Sequence, residues 1–180
     1  MLISDEYRAT QKQLHENPNY GVASIAYAPL VARMMQEYGV DEILDYGAGK
    51  LRLKEELDNH GIPNKYHAYE PSNPLYSDPP KPAQCVTCID VLEHVEPECI
   101  EDVLDHIHSL ALEYAFLTVH TKAAQKVLPD GRNAHLIQEP STWWIPKIAS
   151  RMEIIKFIDM EEGFVVFCRN GRDNPRLHRL

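Results

Sequence analysis

Basic residues are in short supply. Lys and Arg account for 18 of the 180 residues against 27 Asp and Glu, which leaves a net charge of −9. Nucleic-acid surfaces need clustered Lys and Arg to neutralise phosphates, so a broad nucleic-acid face is not expected. Long apolar runs are missing as well. The run around Phe164 to Cys168 falls far short of the ~20 residues that a membrane helix requires, so no membrane partner is expected. The opening Met1-Leu2-Ile3-Ser4-Asp5-Glu6 has neither the basic nor the apolar part of a secretory signal, and the expected compartment is the cytoplasm. Zinc-type spacing is incomplete: Cys85 and Cys88 form one CxxC, with no second CxxC or paired-histidine motif to complete it. These two cysteines lie in an apolar, β-branched run. Strand alternation puts them on opposite faces, which reads as two buried reduced thiols.

What is present fits one soluble core. Apolar residues make up 44% and charged residues 25% of the chain, with no internal repeat or low-complexity linker, so residues 1–180 read as one domain. Residues 1–40 read as helical, with helices over 5–15 and 22–38, and Gly39 sits where a glycine would end the second. Residues 41–170 alternate strands and helices. Strands are expected at 42–46, 65–70, 85–89 and 115–119, and helices at 50–60, 97–112 and from about 140. Two last strands, 153–158 and 164–168, are joined by a Glu161-Glu162-Gly163 turn. Such alternation implies a mostly parallel sheet covered on both faces, here closed by an antiparallel hairpin. Arg169, Arg172, Arg176 and Arg179 make 171–180 a basic tail, read as a solvated terminus.

Three strand ends carry chemistry. The first is Ile43-Leu44-Asp45-Tyr46-Gly47-Ala48-Gly49, an acid followed by a glycine-rich turn into a helix. Glycines let the backbone approach a ligand closely, and a helix N-terminus favours an anionic group. A dinucleotide fingerprint would place a third glycine at position 52, where Arg52 stands, and Asp45 would repel a pyrophosphate. An acid there suits a cationic or zwitterionic ligand. The second is Glu70, ending the next strand, where a carboxylate can accept bonds from both ribose hydroxyls of a nucleoside. The third is Asp90-Val91-Leu92-Glu93-His94-Val95, just past a buried strand. Because α/β sheets bind ligands beyond the carboxyl ends of their strands, the three segments should surround one crevice.

With LDYGAG, YEPS and CIDVLEHVEP in view, the chain resembles class I S-adenosylmethionine-dependent methyltransferases over residues 41–119. The resemblance implies an α/β Rossmann-like methyltransferase sandwich whose last strand is antiparallel. It also implies S-adenosyl-L-methionine as cofactor, S-adenosyl-L-homocysteine as product, and direct displacement at the sulfonium methyl with no metal. Asp45, Tyr46, Gly47, Ala48 and Gly49 would line the methionine moiety, Glu70 would bind the ribose with Pro71 beside the adenine, and Asp90, Val91 and Leu92 would approach the sulfonium. The chain departs from that family twice. Leu51 occupies the usual site of a further glycine, giving a stiffer loop. The span from Glu70 to Asp90 has a proline-rich loop where the family fits a helix and a strand, so the third strand is expected to be reduced or missing. Asp78 or Gln84 could replace the usual adenine contact. Ser77-Asp78-Pro79-Pro80-Lys81 resembles the motif of amino-methylating DNA enzymes, but Lys81 replaces the aromatic that stacks on the flipped base.

On the acceptor side, His94, Asn133 and His135 are the candidates for orienting an acceptor hydroxyl or amine, with a histidine as base. His120 ends a strand nearby, and His15 with Tyr20-Gly21 could form a lid. His106 and His108, two apart on a helix, face different ways and make a poor metal pair. Trp143 and Trp144 read as packing for their helix. Methylation of an oxygen or nitrogen of a small molecule is the leading expectation. A nucleic-acid or protein methyltransferase with a partner subunit, and a protein that binds the cofactor without turnover, are the alternatives.

Overall fold

A computed structural model of the protein describes residues 1–17 and 20–171. Its element order is α1 (Asp5–Leu14), α2 (Ser24–Tyr38), β1 (Glu42–Tyr46), α3 (Arg52–Asn59), β2 (Lys65–Tyr69), β3 (Ala83–Cys88), α4 (Ile100–Leu110), β4 (Ala111–His120), α5 (Ser141–Ala149), β5 (Glu153–Met160) and β6 (Gly163–Arg169). Single 3₁₀ turns at Leu92–His94 and Pro97–Cys99 precede α4. The strands form one sheet in the order β2-β1-β3-β4-β6-β5. The four strands from β2 to β4 run parallel, and β6 is antiparallel to both β4 and β5.

Alternation along the strands builds two cores on the two faces. Leu44, Val86, Leu117 and Val166 face α4 and α5, meeting Leu104, Ile107, Trp144 and Ile148. Their neighbours Ile43, Cys85, Phe116 and Val165 face α2 and α3, meeting Val31, Met35, Leu53 and Leu57. Cys85 and Cys88 fall into opposite cores as free buried thiols, as the strand period requires. Trp144 is fully buried and donates its indole N–H to the Glu139 carbonyl, so it packs α5 onto the sheet.

The expected abbreviation is real. Residues 71–82 contain no helix or strand, and β2 is left as the edge of a six-stranded sheet. Elsewhere the boundaries move. The helix expected over 97–112 begins as a 3₁₀ turn and stops at Leu110, and the chain enters β4 at Ala111 with no loop between. That strand is twice the expected length, because Ala111 pairs with Ala83 and the register then shifts before Cys85 meets Tyr114. Of the basic tail, Arg172, Arg176 and Arg179 lie outside the described residues. No helix among the described residues is long and apolar enough to cross a membrane.

Gly163 opens β6 opposite His120. A Cβ there would lie 2.1 Å from the Val119 carbonyl oxygen, a backbone atom that cannot yield without moving β4. Gly163→Ala is therefore expected to cost about 1–3 kcal/mol, read as a lower urea midpoint at unchanged slope. An unchanged midpoint would show that the hairpin absorbs the methyl group.

Candidate active site

The carboxyl ends of β1, β2 and β3 open into one crevice of about 1000 Å³, mouth included. Asp45, Glu70 and Asp90 all line it, so the three strand ends meet. After β1, the N–H groups of Gly47 and Ala48 both donate to the Tyr69 carbonyl at 2.8 and 3.0 Å, which folds the turn back over the end of β2. Gly47 has φ 81°, and a Cβ on it would lie 2.4 Å from Val91 Cγ2. Only a bare backbone can pass there. Leu51 takes the left-handed conformation (φ 61°) that a glycine would hold at no cost, just before α3. For a side-chain-bearing residue this strain is about 1–2 kcal/mol.

The carboxylates are individually tied. Asp45 is buried, accepts from Thr87 Oγ1 at 3.1 Å on one oxygen and from the Tyr66 hydroxyl on the other. Burial, reinforced by the charge of Glu70, outweighs both bonds and pushes its pKa up to about 6. Glu70 Oε1 accepts from the Ser72 N–H (3.0 Å) and hydroxyl (2.6 Å), while Oε2 accepts from the Gly49 N–H at 3.2 Å. Pro71 lines the crevice beside it. Asp90 sits at φ 58°, a conformation aspartate tolerates, with its N–H donating to Thr118 Oγ1 at 2.9 Å.

Of the remaining sequence candidates, Tyr46, Ala48, Val91 and His94 also line the crevice. Leu92 does not: it begins a 3₁₀ turn that aims it into the core under α4, where it is fully buried. His94 donates its Nδ1–H to the Ala134 carbonyl at 2.7 Å, and burial lowers its pKa. His135 is packed edge-on against it, ring centroids 4.8 Å apart, and donates its own Nδ1–H to the Lys122 carbonyl at 2.5 Å. Asn133 has its amide engaged within its loop, accepting from the Ala124 and His135 N–H groups and donating to the Ala124 carbonyl. It braces the loop that presents His135. Gln84 bonds the Asp41 N–H and the Gly39 carbonyl at the amino ends of the strands, away from the carboxyl end where Glu70 stands, so it cannot meet a ligand near Glu70.

The N-terminal segment covers the crevice. His15, Tyr20 and Gly21 line it, together with Tyr7 and Gln11 of α1. Two latches hold this segment down. Glu96 accepts from the Ser4 N–H (2.8 Å) and hydroxyl (2.6 Å), and Lys50 donates to the Asn17 and Tyr20 carbonyls. Sequence reasoning missed Glu96, Tyr7, Gln11 and also Glu93. Glu93 is fully buried, accepts from the His120 N–H on Oε1, and has no partner on Oε2. Burial and the charge of Asp90 push its pKa up to about 8. An acid inside the apolar stretch Val91-Leu92-Glu93-His94-Val95 is the signal that could have singled it out.

A parallel sheet with a reversed β6 and acids at the ends of β1 and β2 defines the Rossmann-like methyltransferase fold. The family described as "Methyltransferase domain" matches residues 16–162, and the chain belongs to it. Among solved structures, the chain is similar to the 1,6-didemethyltoxoflavin-N1-methyltransferase of Burkholderia thailandensis, at 15% identity, TM-score 0.63, covering 92% of this chain and 89% of that one. It is similar to the magnesium protoporphyrin IX methyltransferase of Synechocystis PCC 6803, at 13% identity, TM-score 0.61, covering 93% and 92%. It is also similar to human N-acetylserotonin methyltransferase, at 14% identity and TM-score 0.58, covering 93% of this chain but 56% of that one. No curated protein matches the sequence.

The raised pKa of Asp45 has a measurable consequence. An acid whose folded pKa lies above its unfolded value binds more protons when folded, so stability falls as pH rises between the two values. For Asp45 that window runs from 3.8 to about 6, and the loss is roughly 2–3 kcal/mol. Denaturant unfolding at pH 5 and pH 7.5 should show Asp45→Asn lacking much of the decline that the wild type undergoes. Parallel declines in the two proteins would remove Asp45 as the cause.

Proposed function

We propose that this chain binds S-adenosylmethionine in the crevice, releases S-adenosylhomocysteine, and transfers methyl to an oxygen or nitrogen of a small-molecule acceptor in the cytoplasm. The observation that carries the reading is the pairing of Asp45 and Glu70 across a glycine turn pressed against Val91. That turn is a cradle that one Cβ would fill, and its rim is acidic, with Asp45, Glu70 and Asp90 facing the same space. A ligand with ammonium and sulfonium charges and a ribose diol fits such a rim. An anionic dinucleotide does not.

In this reading Glu70 accepts from the ribose hydroxyls, with Pro71 against the base. Asp45 and the turn from Tyr46 to Gly49 hold the amino-acid end, and Asp90 and Val91 border the reacting centre. When bound, the cofactor supplies an electrophilic methyl group on sulfur. The chain's own part is alignment: the fixed turn sets one reactant, and the latched N-terminal segment keeps water out. With the cofactor bound, the chain would hold the acceptor's lone pair in line with that methyl group, so that the bond to carbon could form as the carbon–sulfur pair returned to sulfur. His94 lines the crevice, with His135 packed against it, and a histidine there can take the acceptor's proton. Asn133 serves that side by holding the His135 loop. The compounds that the similar enzymes are named for, such as N-acetylserotonin and magnesium protoporphyrin IX, are small molecules, and the net charge of −9 supports the same class here.

Calorimetric titration with S-adenosylmethionine is expected to show one site, weakened at least tenfold by Glu70→Ala and abolished by Gly47→Ala. Absence of binding to the folded wild type would sink the reading. Methyl label from the cofactor, followed into fractionated extract, should appear in small molecules. Label confined to polymer would overturn the acceptor class.

A further inference from the structure

Asp90 and His94 line the crevice, His135 packs against His94 without lining it, and the methyl-transfer reading gives the three no joint task. One ligand atom from each lies within 4.8 Å of the others. We propose that these three residues bind a divalent transition-metal cation of the zinc type, which presents an open coordination position to the acceptor.

Four observations support the site. The donor set, two imidazoles and one carboxylate, is the set used where a metal keeps a position free for water or substrate. Both imidazoles are oriented as ligands are: His94 Nδ1–H donates to the Ala134 carbonyl and His135 Nδ1–H to the Lys122 carbonyl. A carbonyl oxygen can only accept, so each Nδ1 carries the proton and each Nε2 keeps a bare lone pair. A backbone acceptor behind the ring is the usual outer support of a metal-bound histidine. The third observation is backbone. Asp90 is held at φ 58° by the bond from its N–H to Thr118 Oγ1, and Asn133 fixes His135 through its N–H. These restraints hold two of the three ligand-bearing residues in place from outside the cluster. The fourth is Glu93, beside Asp90 and His94 in sequence, fully buried and with Oε2 lacking any partner among the described residues. A buried polar atom without a partner is rare and calls for one such as a water.

The geometry needs only modest closure. Ligand atoms about 2.0–2.1 Å from a tetrahedral zinc are about 3.3 Å from one another, so side-chain rotations of about an ångström suffice. His106 and His108 offer no such arrangement: His106 Nδ1 is engaged with the Tyr46 hydroxyl, on the helix that backs the sheet. A cation held by Asp90, His94 and His135 would polarise an acceptor hydroxyl or amine and ease loss of its proton, favouring acceptors with an exposed oxygen or nitrogen lone pair. This role rests on the methyl-transfer reading. Metal binding itself does not, and it revises the expectation that no metal is involved.

The test uses the full chain, stripped of metal by chelator and titrated with Co²⁺ under anaerobic conditions, then with Zn²⁺ in competition. One equivalent of Co²⁺ should produce visible absorption bands, which stoichiometric Zn²⁺ then displaces. His135→Ala and the near-isosteric Asp90→Asn should each weaken binding at least tenfold. His120→Ala, a neighbouring histidine outside the cluster, should leave it within twofold. Circular dichroism and calorimetry with S-adenosylmethionine are run on every variant. A folded His135→Ala that keeps cofactor binding but loses the Co²⁺ spectrum supports the site. Should His135→Ala fail to fold, Asp90→Asn decides. No stoichiometric Co²⁺ binding by the wild type, or binding unchanged in the folded variants, overturns the proposal. Metal binding without cofactor binding would instead overturn the methyl-transfer reading alone.

Discussion

The Glu70 carboxylate ties together the two turns that flank the crevice. Through Oε2 it takes the Gly49 N–H, and through Oε1 the Ser72 N–H and hydroxyl, so the turn after β1 and the turn after β2 share one acceptor. Two neighbouring constraints follow from it. The turn after β1 is also bonded at Gly47 and Ala48 to the Tyr69 carbonyl, which presses Gly47 against Val91. With the turn fixed at both ends, Leu51 must start α3 from a left-handed conformation. The strain at Leu51, about 1–2 kcal/mol, is offset by closing the turn at Gly49 and seating Leu53 and Leu57 in the core. A flexible glycine at 51 would remove the strain and also the stiffness.

Acid is concentrated around this crevice beyond what a stable fold favours. Asp45 and Glu93 are buried well enough that their pKa values rise, so each carries a cost when charged. Apolar replacements would serve folding better at both positions. Retaining carboxylates there makes sense where a cationic partner enters and relieves the repulsion. The N-terminal segment is held by Glu96 and Lys50 through backbone and hydroxyl groups, and by an ion pair between the Met1 ammonium and Asp102.

Much of this was legible in the sequence, and the reasons are local. The sheet followed from apolar runs with period two, and the split of Cys85 from Cys88 needed only strand alternation. The missing third strand was readable because Pro79, Pro80 and Pro82 remove ladder donors just where a strand would have to run. The convergence of Asp45, Glu70 and Asp90 followed from strand-end position alone. What escaped were partnerships made across distance. Nothing near Asn133 in the sequence shows that its amide closes onto Ala124, and nothing near Ser4 names Glu96 as its partner. Leu92 failed for a subtler reason: a 3₁₀ turn advances the side chain by about 120° per residue, which aims Leu92 into the core while His94 reaches the crevice.

That turn sets the division of labour within Asp90-Val91-Leu92-Glu93-His94. Val91 meets the glycine turn, Leu92 anchors the segment under α4, Glu93 holds the start of the loop after β4 through the His120 N–H, and His94 ties that loop's far side through Ala134. The Ile137 N–H adds a third tie, to the Glu93 carbonyl. The loop after β3 and the loop after β4 are thus one mechanical unit, with Asn133 and His135 as its inner brace. A change in how either loop sits must therefore reach the other. In the proposed reading such coupling serves in-line transfer, in which the two reactants must be held at a fixed distance and angle.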